Sequence, residues 1–396
     1  MKRLSKILAP ILAVILLASS LIVTAYAADA QADPYAKFKE GTGYVAIGDS
    51  FTRGYGAGEN WQDQIYLNDT YGNYNCRNVD GSYPNLVAEA LGLNAPADIR
   101  DTSATLWPIA HDAVTTAYVL DLLGIDDGYR DEEFVYRYSY MMERYDTDLR
   151  YFGDPSSYSV DGQIYGQTGE VMSARELLKN ASLISLGVGQ ADIIYKTQIF
   201  GLNTLDLNDT ANLPAGIAHI LELFNQYFNY WKKAYPLLLD FIKENNPDAE
   251  VMLIGTTNPL AKATLTDDIA LPIGSIINFM FDSINAYTKA CALKYGYTYI
   301  DITDVETPAS ATQMSIGHIL SITDDTEYAL IAHPTAKGYS QIADKIVKAI
   351  NENIENEAIC NGFKNVSSVK DFFEKLFNLV KTVFTRLTAD IMGIIK

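Results

Sequence analysis

The chain has 396 residues, 48% of them apolar and 20% charged, with a formal net charge of −19. That length allows one large domain or two ordinary ones around a sizeable core, and the acidic balance excludes nucleic acid or anionic lipid as partners drawn by general electrostatics. Three scattered cysteines, Cys76, Cys291 and Cys360, are too few for a disulfide framework or a zinc site, although one disulfide could form.

Residues 1–27 read as an export signal. Lys2, Arg3 and Lys6 give a basic start, Ile7 to Val23 is mostly apolar, and Ala25-Tyr26-Ala27 is a small-residue cleavage pattern. Cleavage there takes the formal charge to −22. The mature protein is therefore expected to be secreted, in the extracellular space or the cell envelope. No cysteine follows the apolar run closely, which argues against a lipoprotein anchor, and no later stretch reaches the ~18 apolar residues of a membrane span. Residues 28–42 are small and polar and read as a linker.

Tyr44 to Ile47 is a short apolar run, followed by Gly48-Asp49-Ser50-Phe51-Thr52-Arg53-Gly54-Tyr55-Gly56. The pattern predicts a buried strand that breaks and presents Ser50 at its carboxyl end. Ligands bind at that edge of open α/β sheets, so Ser50 is a candidate nucleophile. Taken alone, it would serve equally well as a helix cap.

Residues 56–80 read as a loop. Ser82-Tyr83-Pro84 opens a helix with Leu86, Val87, Ala90 and Leu91 on one face and Gly92 as its stop. A weaker strand is expected from Ala97 to Thr102, ending in Ser103-Ala104-Thr105. Residues 106–172 are rich in Tyr, Asp and Arg and have no long apolar period. They read as an insertion outside the sheet, with some helix around Glu132 to Arg144: either a surface excursion or a cap over a substrate cleft.

Ser173-Ala174-Arg175-Glu176 opens a short helix with a capping-box pattern. Strands are expected at Ala181 to Val188, Glu250 to Gly255 and Tyr297 to Asp301. Helices are expected at Pro214 to Asn245, Ile276 to Tyr295 and Ala336 to Ile350. Alternation of strand and helix indicates right-handed βαβ units and a parallel sheet covered on both faces. The domain should span 43–355. The tail, 356–396, carries an apolar stripe at helical spacing from Phe372 to Ile394, expected to pack on the domain. Docking to a partner is the alternative, and membrane contact is not favoured.

Ser50 needs a base. His219 falls inside the long amphipathic helix and reads as structural, while His111 and His318 lie in polar, irregular surroundings. His333-Pro334-Thr335-Ala336-Lys337-Gly338-Tyr339 sits on a loop directly before the last helix. In a parallel sheet that loop shares the edge of the loop after the first strand, which brings His333 within reach of Ser50.

The two segments together resemble the first and last blocks of the GDSL, or SGNH, hydrolase family. Gly189-Gln190-Ala191-Asp192 is similar to that family's third block, and Cys76-Arg77 with Ser82-Tyr83-Pro84 to a pattern of its secreted lipases and esterases. The resemblance implies a three-layer α/β/α sandwich, flavodoxin-like, with a mainly parallel sheet of about five strands. It implies Ser50 as nucleophile, His333 as general base, and an oxyanion hole formed by the backbone N–H groups of Ser50 and Ser103. Asp49, Gln190 and Asp192 would support the site. It implies no cofactor and no metal. The implied partner is a small-molecule or glycan ester: acetylated polysaccharide, short-chain ester or lipid.

Three positions depart from the family pattern. The second-block Gly is Ser103, whose backbone N–H survives the change. The third-block Asn is Ala191, which has no side-chain donor. The Asp three residues before the histidine is Leu330, so a backbone carbonyl, Asp324, Asp325 or Glu327 would have to orient the imidazole. Two readings follow: a secreted serine ester hydrolase with a reduced oxyanion hole, or a catalytically impaired relative that binds a glycan or lipid.

Overall fold

Gly43–Gly48 forms strand β1, and all six of its residues are buried. A strand covered on both faces reads as a continuous apolar run, which is why Tyr44 to Ile47 shows no alternation. The computed structural model of the chain describes residues 33–58, 79–94, 105–110, 114–129, 163–165, 171–195, 212–259, 273–312, 314 and 330–364. The chain divides into two compact units, Lys37–Val347, and Met1–Ala36 with Lys348–Lys396. In the second unit Tyr35 Oη donates to Asn351 Oδ1 at 2.9 Å.

The first unit holds the sheet. In chain order its described elements are β1, α1 (Ser50–Arg53), α2 (Tyr83–Leu91), β2 (Leu106–Ala110), α3 (Thr116–Leu122), β3 (Gln163–Tyr165), β4 (Val171–Ser173), α4 (Ala174–Asn180), β5 (Ala181–Gly187), α5 (Leu213–Asn245), β6 (Glu250–Ile254), α6 (Ile273–Tyr295), β7 (Thr298–Ile300), α7 (Pro308–Thr312) and the start of α8 (Ala336–Lys364). Five strands lie in the order β2-β1-β5-β6-β7, and every pair is parallel. The helices between them make the crossovers that parallel pairing requires.

Side chains alternate between two buried faces. Val45, Ile47, Ile184, Leu186, Val251 and Leu253 share one cluster with residues of α3, α4, α5 and α6. Tyr44, Ala46, Leu183, Ser185 and Met252, which alternate with them, are equally buried. This is the expected α/β architecture with a mainly parallel five-stranded sheet.

Four expectations change. The second sheet strand is Leu106–Ala110, inside the stretch read as an insertion, and residues 95–104 lie outside the described residues. Pro108 hides this strand from the pattern. Proline is tolerated on edge strands, where one N–H needs no ladder partner, and β2 is an edge. α3 is also core, with Ala117, Val119 and Leu120 each at most 1% exposed. What remains of the insertion that is described includes a short antiparallel pair, β3 with β4, while the helix expected at 132–144 lies outside the described residues.

The linker ends earlier than its composition suggests. Phe38 is fully buried, and Lys37 Nζ pairs with Glu250 Oε2 at 2.9 Å. Burying such a ring contributes roughly 1.5–3 kcal/mol, so residues 37–42 belong to the domain. At the other end, α8 continues to Lys364 rather than stopping near Ile350, past the expected domain end at residue 355. Residues 365–396, with the whole apolar stripe, lie outside the described residues. Cys291 is a free, buried thiol.

Candidate active site

The sheet edge is shaped by two glycines. Gly48 and Gly187 are register partners at the ends of β1 and β5. A Cβ on Gly48 would meet Thr52 Oγ1 at 1.9 Å, and one on Gly187 would meet the same atom at 2.6 Å. Their missing side chains let the turn after β1 fold back over the sheet. Thr52 Oγ1 and Tyr83 Oη are hydrogen-bonded at 2.9 Å, and Tyr44 Oη and Ser185 Oγ at 2.8 Å, all buried beneath the turn. Burial pushes the Tyr83 phenol up to about 12, so it stays neutral there.

The turn is α1. Asp49 is its N-cap, and its Oδ1 accepts from Phe51 N–H at 3.0 Å. Gly54, at φ +95°, closes the turn by donating to the Ser50 carbonyl. That left-handed conformation is open to glycine at little cost. Ser50 is therefore the first helical residue, where backbone N–H groups have no intrahelical acceptor. Among the described residues no acceptor is bonded to the Ser50 N–H.

His333 arrives from the other end of the chain. Its N–H donates to the Leu330 carbonyl at 3.1 Å. Glu306 fixes the loop that follows: its carbonyl accepts from Thr335 N–H at 3.0 Å, and its carboxylate accepts from Thr335 Oγ1 at 2.8 Å and Lys337 Nζ at 2.7 Å. His333 Nε2 then lies 2.7 Å from Ser50 Oγ, within the reach that proton transfer needs. The imidazole is 8% exposed. Phe51 and Tyr55 pack on it, with ring centroids 4.8 and 4.6 Å away.

The remaining expected site residues have other places. Asp192 is buried and accepts from Thr116 N–H at 2.8 and 3.0 Å and from Thr116 Oγ1 at 3.0 Å. It ties the loop after β5 to the start of α3. Gln190 Oε1 accepts from Thr256 Oγ1 at 2.8 Å. Its side chain thus reaches toward the end of β6, and β5 separates that strand from β1. Ala191 is buried, 4% exposed, at the start of a π-helical turn, Ala191–Tyr195. Gly189 holds φ +115°, and a Cβ there would meet the Trp231 ring at 2.7 Å.

Ser103 lies outside the described residues. Thr105 accepts from Tyr44 N–H, at the amino end of β1, and the described residue that β2 brings to the Ser50 edge is Ala110, register partner of Gly48. His111, His318, Asp324, Asp325 and Glu327 also lie outside the described residues. His219 is on an exposed face of α5, 3.8 Å from Glu222. A cavity of ≈ 20 Å³ lies against Phe51, Thr52, Gln190 and Thr256. It is about the size of one water, too small for an acyl chain.

Sequence reasoning did not find the contacts of Phe51, Tyr55 and Tyr339. Tyr339 Oη donates to the Tyr55 carbonyl at 2.9 Å. No pattern in the sequence signals these contacts, since Tyr55 follows the left-handed Gly54 that ends α1.

Residues 44–346 match the sequence model of the GDSL-like lipase/acylhydrolase family. No curated protein matches the chain. Similar solved structures include an extracellular lipase from Streptomyces rimosus, 18% identical, with 76% of this chain and 97% of that one aligned at a TM-score of 0.44. A phospholipase A1 from Streptomyces albidoflavus NA297 is 19% identical over 77% and 98% of the two chains, at 0.43. A carbohydrate acetylesterase family member from Sinorhizobium meliloti is 14% identical over 78% and 97%, at 0.31. These likenesses are distant, and the assignment rests on the match over residues 44–346: this chain belongs to the GDSL-like lipase/acylhydrolase family.

Proposed function

We propose that the protein is a secreted serine esterase that works through an acyl-enzyme on Ser50. The observation that carries this reading is the 2.7 Å separation of Ser50 Oγ and His333 Nε2. Oγ attacks the ester carbonyl while Nε2 takes its proton. The oxyanion that forms is met by the Ser50 N–H, which the start of α1 leaves unbonded. His333 then returns the proton to the leaving alkoxide, and water, activated the same way, releases the acid. The substrate is a neutral ester: an acetylated glycan, a short-chain ester or a lipid. The signal-like residues 1–27 support export.

A second reading, a binding protein with little turnover, is favoured by one observation. Ala191 stands where the family carries an asparagine donor. Incubating purified protein with p-nitrophenyl acetate, an acetylated xylan and a phospholipid separates the two. The esterase reading expects turnover of at least one, reduced at least ~10⁴-fold by Ser50→Ala. No product from any, or product unaffected by that substitution, would count against it.

A further inference from the structure

Serine hydrolases commonly orient the base with an acidic side chain that also stabilises the imidazolium. Here the residue three positions before His333 is Leu330, and a Cβ on Gly56 would lie 3.0 Å from Leu330 Cδ2. Leu330 thus lies against the backbone at Gly56, just after the turn that carries Ser50. Two other side chains of that turn reach the imidazole. Phe51 lies 4.8 Å from it, centroid to centroid, at an interplanar angle of 37°. Tyr55 lies 4.6 Å away at 35°. Both rings are buried, at 7% and 4% exposure.

Neither ring is free to drift. The Phe51 N–H donates to the Asp49 cap, the Tyr55 N–H donates to the Ser50 carbonyl at 3.0 Å, and the Tyr55 carbonyl accepts from buried Tyr339. Ser50 and both rings therefore sit on one short segment whose backbone these bonds tie down. A cation within about 6 Å of an aromatic centroid is attracted by the ring quadrupole, most strongly where water is excluded. The imidazole becomes such a cation whenever it holds the Ser50 proton.

We propose that Phe51 and Tyr55 are positioning residues: their rings seat the His333 imidazole opposite Ser50 Oγ and stabilise its protonated form. The inference rests on the Ser50–His333 pair proposed above. No bond beyond that scheme is made. The proton passes from Oγ to Nε2 and on to the leaving alkoxide, and the rings act only on the charge that exists between those two transfers. Among the described residues, the ionisable groups on α1, on the turn after it and on the first turn of α8 are Asp49, which caps α1; Arg53, buried on the same turn; Tyr55 and Tyr339; and Lys337, paired with Glu306.

The test strips charge from the π face without changing packing. Phe51 is replaced by phenylalanine carrying one, two, three and five ring fluorines, and the His333 ring is titrated by NMR. The expected result is a stepwise fall of the titration midpoint, by about half a unit at full fluorination. A graded loss of kcat of about three- to tenfold, with KM unchanged, should accompany it. Tyr55→Leu, which removes the ring, should lower both, and Tyr55→Phe, which keeps it, should lower both less than Tyr55→Leu does. A midpoint indifferent to fluorination, or one that rises, overturns the proposal. The titration needs no turnover, so an inactive wild type would sink the esterase reading while the NMR result still decides this one.

Discussion

Tyr339 Oη donates to the carbonyl of Tyr55 at 2.9 Å, joining residues 284 positions apart in a buried contact. One side of the bond is the first turn of α8, and the other follows the turn that carries Ser50. Tyr339→Phe removes this donor to a buried carbonyl. It should cost about 1–3 kcal/mol of stability, read by urea unfolding. It should also lower kcat several-fold, because Tyr55 packs on His333. Unchanged kcat would mean that α8 does not hold the turn in place.

Restoring a donor at position 191 should help catalysis. Loss of one oxyanion donor elsewhere costs ~10²–10³ in kcat, so Ala191→Asn should raise kcat on a good ester at least ~10-fold. The site is buried, and enlarging a packed residue costs typically 1–3 kcal/mol, so the variant should also melt earlier. A stable Ala191→Asn protein with unchanged kcat would show that the transition-state charge is not met from this loop.

Alkaline solution should weaken the fold through Tyr83. Burial raises this phenol from 10.0 to about 12. Below pH 10 it is neutral whether the chain is folded or not. Between pH 10 and about 12 the unfolded chain ionises and the folded one does not, so stability falls as pH rises. The loss is on the order of 3 kcal/mol for this group once both states are ionised. Tyr83→Phe, less stable at neutral pH for want of the Thr52 bond, should show a shallower decline over that window in chemical denaturation. An identical slope would refute the assignment.

Asp192 should matter to stability far more than to chemistry. Its buried carboxylate accepts from Thr116 N–H and Oγ1, and hydrogen bonds to a charged group contribute about 1.5–3 kcal/mol each. Asp192→Ala should destabilise by at least ~2 kcal/mol, while KM and the fraction of Ser50 labelled by a fluorophosphonate remain close to wild type below the melting transition. Loss of labelling in folded protein would instead assign Asp192 to the reaction.

The Ser50–His333 contact was legible because both halves carry local punctuation. Gly48-Asp49-Ser50 ends an apolar run, and His333-Pro334 precedes a periodic helix, so the parallel topology alone brought them to one edge. The second strand was not legible. Leu106-Trp107-Pro108-Ile109-Ala110 contains a proline, and only its place at the sheet edge makes that harmless. Phe38 was hidden in a polar stretch for a similar reason: one buried ring has no period. The seat of the imidazole could not be read at all. Phe51 and Tyr55 look like ordinary apolar residues until the last helix folds onto them.

The Ser50–His333 contact spans 283 positions of sequence, which has a consequence in time. At roughly 5–20 residues per second, a ribosome adds His333 about a quarter of a minute to a minute after Ser50. Throughout that interval the growing chain holds Ser50 without the base proposed for it. Hydrolytic activity therefore reports on synthesis past residue 333. A chain cut anywhere before residue 333 should be silent, so selection on activity in a library of variants will remove products truncated before that point without a separate tag.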